Sequence, residues 1–271
     1  MNFLGPRRLL LLSAYILIAA LAKAQYLGFD RNDYPGDANL PILRQTFSYA
    51  GYWLSNPPRA KSNSWVGKRK LVESSGFGFL VLFNGRLDAQ LQHNAAAVGR
   101  SDGNAAVAAA RREGFPAHTI IFLDLEEGGR MLPEQKAYIY AWVDSVNPGG
   151  FRAGVYCSGI PVQEDQDTIN AADDIHGTAR GRDITYWVVQ DSCPPSPGCT
   201  FPKRADSAAT SKISYAAVWQ FVRSPKQQEF AGRCDGYSPH DGNCYPPGID
   251  PSAHLHVDLN TASSADPSHA R

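Results

Sequence analysis

The sequence predicts an α/β fold: a (β/α)₈ TIM-like barrel in a single domain. Three observations carry that prediction. Eight short apolar runs punctuate the chain and helical segments separate most of them, the alternation that builds a parallel sheet. Residues 25–271 have the length of one such barrel, roughly 250 residues. A doubly wound open sheet usually carries a Gly-rich phosphate turn after its first strand, but here that turn reads Asp30-Arg31-Asn32-Asp33. No other phosphate-binding glycine motif occurs, so no nucleotide cofactor is expected.

The elements follow in order. Arg7-Arg8, the apolar run Leu9 to Leu21 and Ala22-Lys23-Ala24 read as a secretory signal peptide over residues 1–24, cut before Gln25. An uncleaved anchor is the other reading of that run; no later segment has spanning length. Strands are expected at Tyr26–Asp30, Ser48–Trp53, Phe77–Phe83, Thr119–Leu125, Arg152–Cys157, Asp183–Gln190, Ala216–Val222 and His254–Leu259. Trp65–Ser75 has helical polarity, and the Ala-rich Asn104–Glu113 is a helix closed by Gly114. Glu134–Val146 is a helix with Pro133 in its first turn and a stop at Asn147-Pro148-Gly149-Gly150. The barrel domain is thus placed over residues 25–260, with 261–271 as a polar, disordered tail.

Charge and cysteine content narrow the setting. Lys plus Arg and Asp plus Glu are both 26, and loss of the signal's basic residues leaves a mildly acidic chain. Such a balance lacks the basic footprint of a nucleic-acid binder. Of five cysteines, Cys193/Cys199 and Cys234/Cys244 fall into two close pairs in Pro/Gly-rich loops, read as two local disulfides of an oxidising compartment. Other pairings stay open, as does zinc, although the spacings do not match the usual knuckles. Cys157 ends an apolar strand and reads as a buried free thiol. The protein is expected to be a secreted or periplasmic monomer without a membrane span after signal cleavage.

The chemistry gathers at strand ends. In Thr119–Gly129, TIIFLDLEEGG, alternation puts Asp124 and Glu126 on one face and Glu127 on the other. A solvated loop would also carry such acids, but Asp30, Asp191 and Asp258 mark other strand ends, and a closed barrel brings these together in one bowl. Glycoside hydrolysis uses such a set, one carboxyl protonating the leaving oxygen and another acting as nucleophile, base or stabiliser. Tyr52, Tyr156, Gln190 and Gln220 accompany the acids at the same depth, as do Trp53, Trp187 and Trp219. Flat ring faces and amides suit a saccharide, and each aromatic could equally be core. His254-x-His256-x-Asp258 lacks the further histidines on strands five and six that a metal-dependent barrel needs, so no metal is expected. The long connections Asp191–Tyr215 and Arg223–Ala253 follow strand ends and read as walls of the bowl.

GFDRNDYPG, IIFLDLEEG, AGVYCSG, WVVQ, AVWQF and HVDLN occur in the order seen in glycoside hydrolase family 25, which the chain therefore resembles. It also resembles a related bacterial glycoside-hydrolase-like domain family of unassigned function, through GNAAVAAARREGFPAHTIIFLDLE. The resemblance implies a (β/α)₈-like barrel of secreted, lysozyme-type muramidases acting on peptidoglycan. It implies Glu126 as the catalytic acid and Asp124 as its partner at the N-acetyl group or the cation. Asp30 matches the strand-one acid, Asp258 the strand-eight one, and Asp191 matches an acid near strand six only loosely. The turn RNDYPG and the large cysteine-bearing loops depart from that pattern. A non-catalytic glycan-binding or cell-envelope protein on the same barrel is the alternative.

Overall fold

The computed structural model describes residues 24–202, 204–228, 232 and 234–269. The expected signal peptide, apart from its last residue, lies outside them. Ten strands form among the described residues: β1 (Tyr26–Asp30), β2 (Tyr49–Trp53), β3 (Gly78–Asn84), β4 (Ile120–Asp124), β5 (Arg152–Ser158), β6 (Val162–Glu164), β7 (Asp167–Ile169), β8 (Thr185–Val189), β9 (Ala216–Val222) and β10 (Asp258–Ala262). Eight of them close a barrel in the order β1-β10-β9-β8-β5-β4-β3-β2, and β6 and β7 make a separate hairpin. The expected barrel is therefore present.

It departs from the all-parallel expectation in one strand. β10 runs antiparallel to both β1 and β9, while the other neighbouring barrel strands are parallel. The expected eighth strand, His254–Leu259, is displaced: a 3₁₀ turn at Pro251–Ala253 ends at His254, and pairing starts only at Asp258. The chain enters β10 from the same rim at which β9 ends, where a parallel strand would need a crossover to the opposite end.

Helices α1 (Leu40–Leu43), α2 (Arg69–Ser74), α3 (Ala95–Glu113), α4 (Pro133–Val146) and α5 (Ala171–Thr178) cover the outside. α3 begins nine residues ahead of the expected start at Asn104 and takes in Gly99 and Gly103, which serve packing. A Cβ on Gly99 would lie 2.3 Å from the Tyr138 carbonyl of α4, so only glycine admits this approach. Trp65, Tyr138 and Trp142 are fully buried outside the sheet, whereas Tyr49 and Trp187 fill the barrel interior.

Residues 261–269 take part in the fold, where the sequence predicts a disordered tail. β10 extends to Ala262, and residues 263–269 cross the lower end of the barrel. β3 starts three residues before its first partner on β4, the pair Val81–Ile121, which would leave amide groups on that side bare. Asp266 Oδ1 accepts from Phe79 N at 2.9 Å and Ser268 Oγ accepts from Val81 N at 2.9 Å. His269 Nε2 bonds Thr119 Oγ1 at 2.8 Å, and its Nδ1 bonds Asp266 Oδ2 at 2.7 Å. Polar residues thus do what a strand would have done, which composition alone reads as a solvated end. Removing residues 265–271 should cost about 2–4 kcal/mol, the worth of three such bonds, in urea unfolding. Unchanged stability would show that this segment holds nothing.

Candidate functional site

The parallel strands and the antiparallel β10 deliver acids to one rim by opposite routes. Asp30 and Asp124 end β1 and β4, whereas Asp258 begins β10 and faces Asp30 in register. A cavity of about 230 Å³ at this rim is lined by Asp30, Asp124, Glu126 and Asp258 together with Trp53, Tyr156, Trp187 and Gln220. Glu127 points away, accepting from Asp88 N and Gln135 Nε2, as alternation requires.

Two amides hold the acids, and each has its carbonyl end engaged by an aromatic donor. Trp187 Nε1 donates to Asn260 Oδ1 at 2.9 Å, so Asn260 Nδ2 faces Asp30 Oδ1, at 2.7 Å. Tyr156 OH donates to Gln220 Oε1 at 2.6 Å, so Gln220 Nε2 faces Asp30 Oδ1 at 3.0 Å and Asp258 Oδ2 at 3.4 Å. The β9–β10 register shifts between Leu259 and Asn260, which sets Gln220 rather than Phe221 opposite Asn260. Asp258 Oδ1 also accepts from Ser224 N at 2.7 Å. Asp30 fits against β2 only because residue 51 is glycine: a Cβ there would meet Asp30 Cβ at 2.6 Å.

Burial dominates the electrostatics. It pushes the Asp30 carboxyl up to about 6, against the pull of Asn260 and Gln220 and with the help of Glu126. Asp124 is raised well above the usual carboxylate range by burial, then by the charges of Glu126 and Asp30. Its Oδ2 is buried without a protein donor. Asp258 is raised well above that range too, by burial and by Asp30. Glu126, by contrast, is exposed in the cleft.

Other expected site residues lie elsewhere. Tyr52 is on the outer face of β2, buried among Trp65, Phe79 and Phe115 with its hydroxyl on Glu113, and it is Trp53 that reaches the bowl. One residue of alternation separates the two. The Gln190 amide is spent on backbone, donating to Gly159 O and accepting from Ser192 N. Asp191 is buried beside the bowl, its carboxylate taken by Arg223 at 2.9 and 3.0 Å and by Lys226 at 2.9 Å. Burial opposes its ionisation, but these two cations outweigh it and hold the carboxyl below its usual range.

Sequence reasoning missed Asn260, Arg223 and Lys226. Asn260 lies two residues from Asp258 on the same strand face, a signal that alternation could have supplied; Lys226 had none. The disulfides also differ from expectation. Cys193 pairs with Cys234 and Cys199 with Cys244, so both bridges join the loop after β8 to the loop after β9. Neighbouring parallel strands release these loops side by side, which spacing along the chain does not show. Cys157 is a buried free thiol, raised by burial. Among the described residues no group of three His, Cys, Asp or Glu could hold a metal ion, and no helix is long and apolar enough to cross a membrane.

A closed eight-stranded α/β barrel with carboxylates gathered at one mouth defines a glycoside-hydrolase-like barrel. The chain belongs to the Rv2525c-like, glycoside hydrolase-like domain family, whose model matches residues 44–226. No curated protein matches it. Its fold is similar to that of an uncharacterized B. stearothermophilus protein, at 22% identity and TM-score 0.57 over 88% of this chain and 95% of that one. The Mycobacterium tuberculosis Tat-secreted protein Rv2525c, solved with L-tartrate, is similar at 12% identity and TM-score 0.52, over 88% and 95%. So is the Clostridium perfringens spore cortex lytic enzyme SleM, at 12% identity and TM-score 0.53, over 89% and 68%.

The raised carboxyls have a consequence for stability. A carboxyl whose folded value exceeds its unfolded one gives stability that is complete below the unfolded value and lost as pH rises through the folded value. For Asp30 that window runs from 3.8 to about 6. Asp124→Asn, which removes a buried charge without removing a donor's partner, should therefore melt higher than wild type at pH 7. The gap should shrink toward pH 4 in thermal melts; an equal gap at both values would contradict the burial argument.

Proposed function

We propose that the protein hydrolyses a cell-wall polysaccharide, peptidoglycan, with Glu126 as the proton donor. One observation carries this reading. Asp124 and Glu126 line both the bowl and a second cavity of about 270 Å³, bounded by Pro58, Arg59, Asn84, Arg86 and Gln90. The acid pair thus stands at a junction, where a glycosidic bond would lie if one sugar occupied each side.

At that junction Glu126 gives its proton to the glycosidic oxygen as the bond to the anomeric carbon breaks. Water then adds hydroxyl to that carbon and returns a proton to Glu126. Asp124, with one oxygen lacking a protein partner, is left to hydrogen-bond the sugar's N-acetyl group. Asp30 and Asp258 bind hydroxyls from the floor, and Trp53 offers a ring face. The fold shared with a spore cortex lytic enzyme supports a wall polymer as substrate. Two disulfides and the fold shared with a Tat-secreted protein support export to an oxidising compartment.

The test is reducing-end release from purified peptidoglycan between pH 4 and 8. Wild type should release sugar, and Glu126→Gln should lower the rate at least 100-fold, the scale of a lost general acid, roughly 10²–10⁴. Full activity in that variant would sink the assignment. Retention on the wall without release by either protein would leave a glycan-binding barrel.

A further inference from the structure

Beside the bowl lies a larger cavity, about 480 Å³, lined by Ile160, Asp191, Ser192, Cys193, Arg223, Pro225, Lys226 and Gln227. It contains none of the four acids of the bowl, yet Arg223 and Pro225 line both spaces. We propose that this cavity is a carboxylate-binding subsite: it takes an acidic substituent of the same sugar polymer whose ring lies over the bowl. The proposal rests on the glycan reading above and adds the charge of the substrate to it.

The charges on its walls point that way. Among the described residues that line the cavity, Arg223 and Lys226 against Asp191 leave one positive charge in excess. Asp191 is itself unable to receive a sugar, its side chain being only 3% exposed and held by both cations. What it does is aim them. Arg223 uses Nε and Nη2 on Asp191, which leaves Nη1 out of that pair on a residue that lines both this cavity and the bowl. That side chain is 48% exposed, whereas Lys226 is 8% exposed and also donates to the Asp191 carbonyl at 2.6 Å. A planar donor fork anchored on one carboxylate and open toward a cavity is the arrangement that receives another.

The walls are also rigid enough to hold that geometry. Cys193 is tied to Cys234 and Lys226 Nζ donates to the Asp191 carbonyl, so the two loops that frame the cavity are stitched together, while Lys226 N donates to Gly242 O at 2.7 Å within the second of them. Arg223 follows the last residue of β9 and so stands between the substituent and the acids, screening the ligand's charge from Asp258 and Asp30.

The experiment measures binding by calorimetry, with every variant in the Glu126→Gln background so that no ligand is consumed. The probes are two pairs: muramic-acid-containing glycan oligomers and oligogalacturonate, each as the free acid and as its methyl ester. The free acid of at least one pair should bind roughly ten- to a hundredfold more tightly than its ester, the range of a charged hydrogen bond. The responding pair tells a lactyl-type carboxylate from a uronic one. That preference should vanish in Arg223→Gln, and also in Gln227→Glu, which puts a like charge on the exposed wall with little risk to folding; melting curves confirm that both fold. Equal binding of acid and ester in both pairs would overturn the subsite and leave the glycan reading standing. A preference that survives both variants would also overturn it, by placing the carboxylate elsewhere. Failure of all four probes to bind would bring down the glycan reading itself, and the subsite with it.

Discussion

The pairing of β10 between β1 and β9 is the contact on which both ends of this barrel depend. A seventh parallel strand leaves the chain at the carboxylate rim, and a parallel eighth would need a crossover to the far end before pairing. By entering at once and running antiparallel, β10 keeps Asp258 at the rim, opposite Asp30 in register. The same choice sends the following residues to the lower end. There Asp266, Ser268 and His269 meet amides and a hydroxyl that the staggered start of β3 and β4 leaves without strand partners. Site and closure are thus consequences of one strand direction.

Several buried carboxyls in one bowl are a burden on the fold, and the molecule limits that burden rather than removing it. Asn260 and Gln220 donate to Asp30 while their carbonyl ends accept from Trp187 and Tyr156. Asp124 receives no such help on Oδ2. A structure selected for stability alone would place an amide or an apolar residue there. The orphaned oxygen belongs to an acid that, with Glu126, lines two cavities, which is where unspent hydrogen-bonding capacity has a use.

The acids were legible in the sequence because each ends or begins an apolar run, and burial of a run followed by a charge is a local signal. β1 and β9 appear with the bounds expected, Tyr26–Asp30 and Ala216–Val222. The direction of the last strand was not legible, since antiparallel and parallel strands share the same period. Tyr52 shows the narrowness of the margin: its neighbour Trp53 has similar chemistry, and only register across the sheet decides which one faces inward. Gly99 and Gly103 concealed half of α3 because a glycine's packing role depends on a partner helix that sequence does not name. The cysteine pairing failed for a like reason, as adjacency of two loops is set by the strands beneath them.

That adjacency also explains why the bridges run between loops. Two local bridges would have tightened each loop on itself and left their mutual distance free. Bridges closing 41 and 45 residues of chain remove more conformational freedom from the unfolded protein than bridges within CPPSPGC or across ten residues would. They also fix the distance that matters for the cavity, between Ser192 and Cys193 on one wall and Arg223 to Gln227 on the other. The described residues of the connections after β8 and β9 include 3₁₀ turns at Ala208–Ser211 and Pro251–Ala253. Covalent ties and the Asp191 ion pairs join these walls to each other. A cleft that must present one guanidinium at a set distance from a row of carboxylates needs that rigidity, because an unanchored arginine would collapse onto the acids it stands beside.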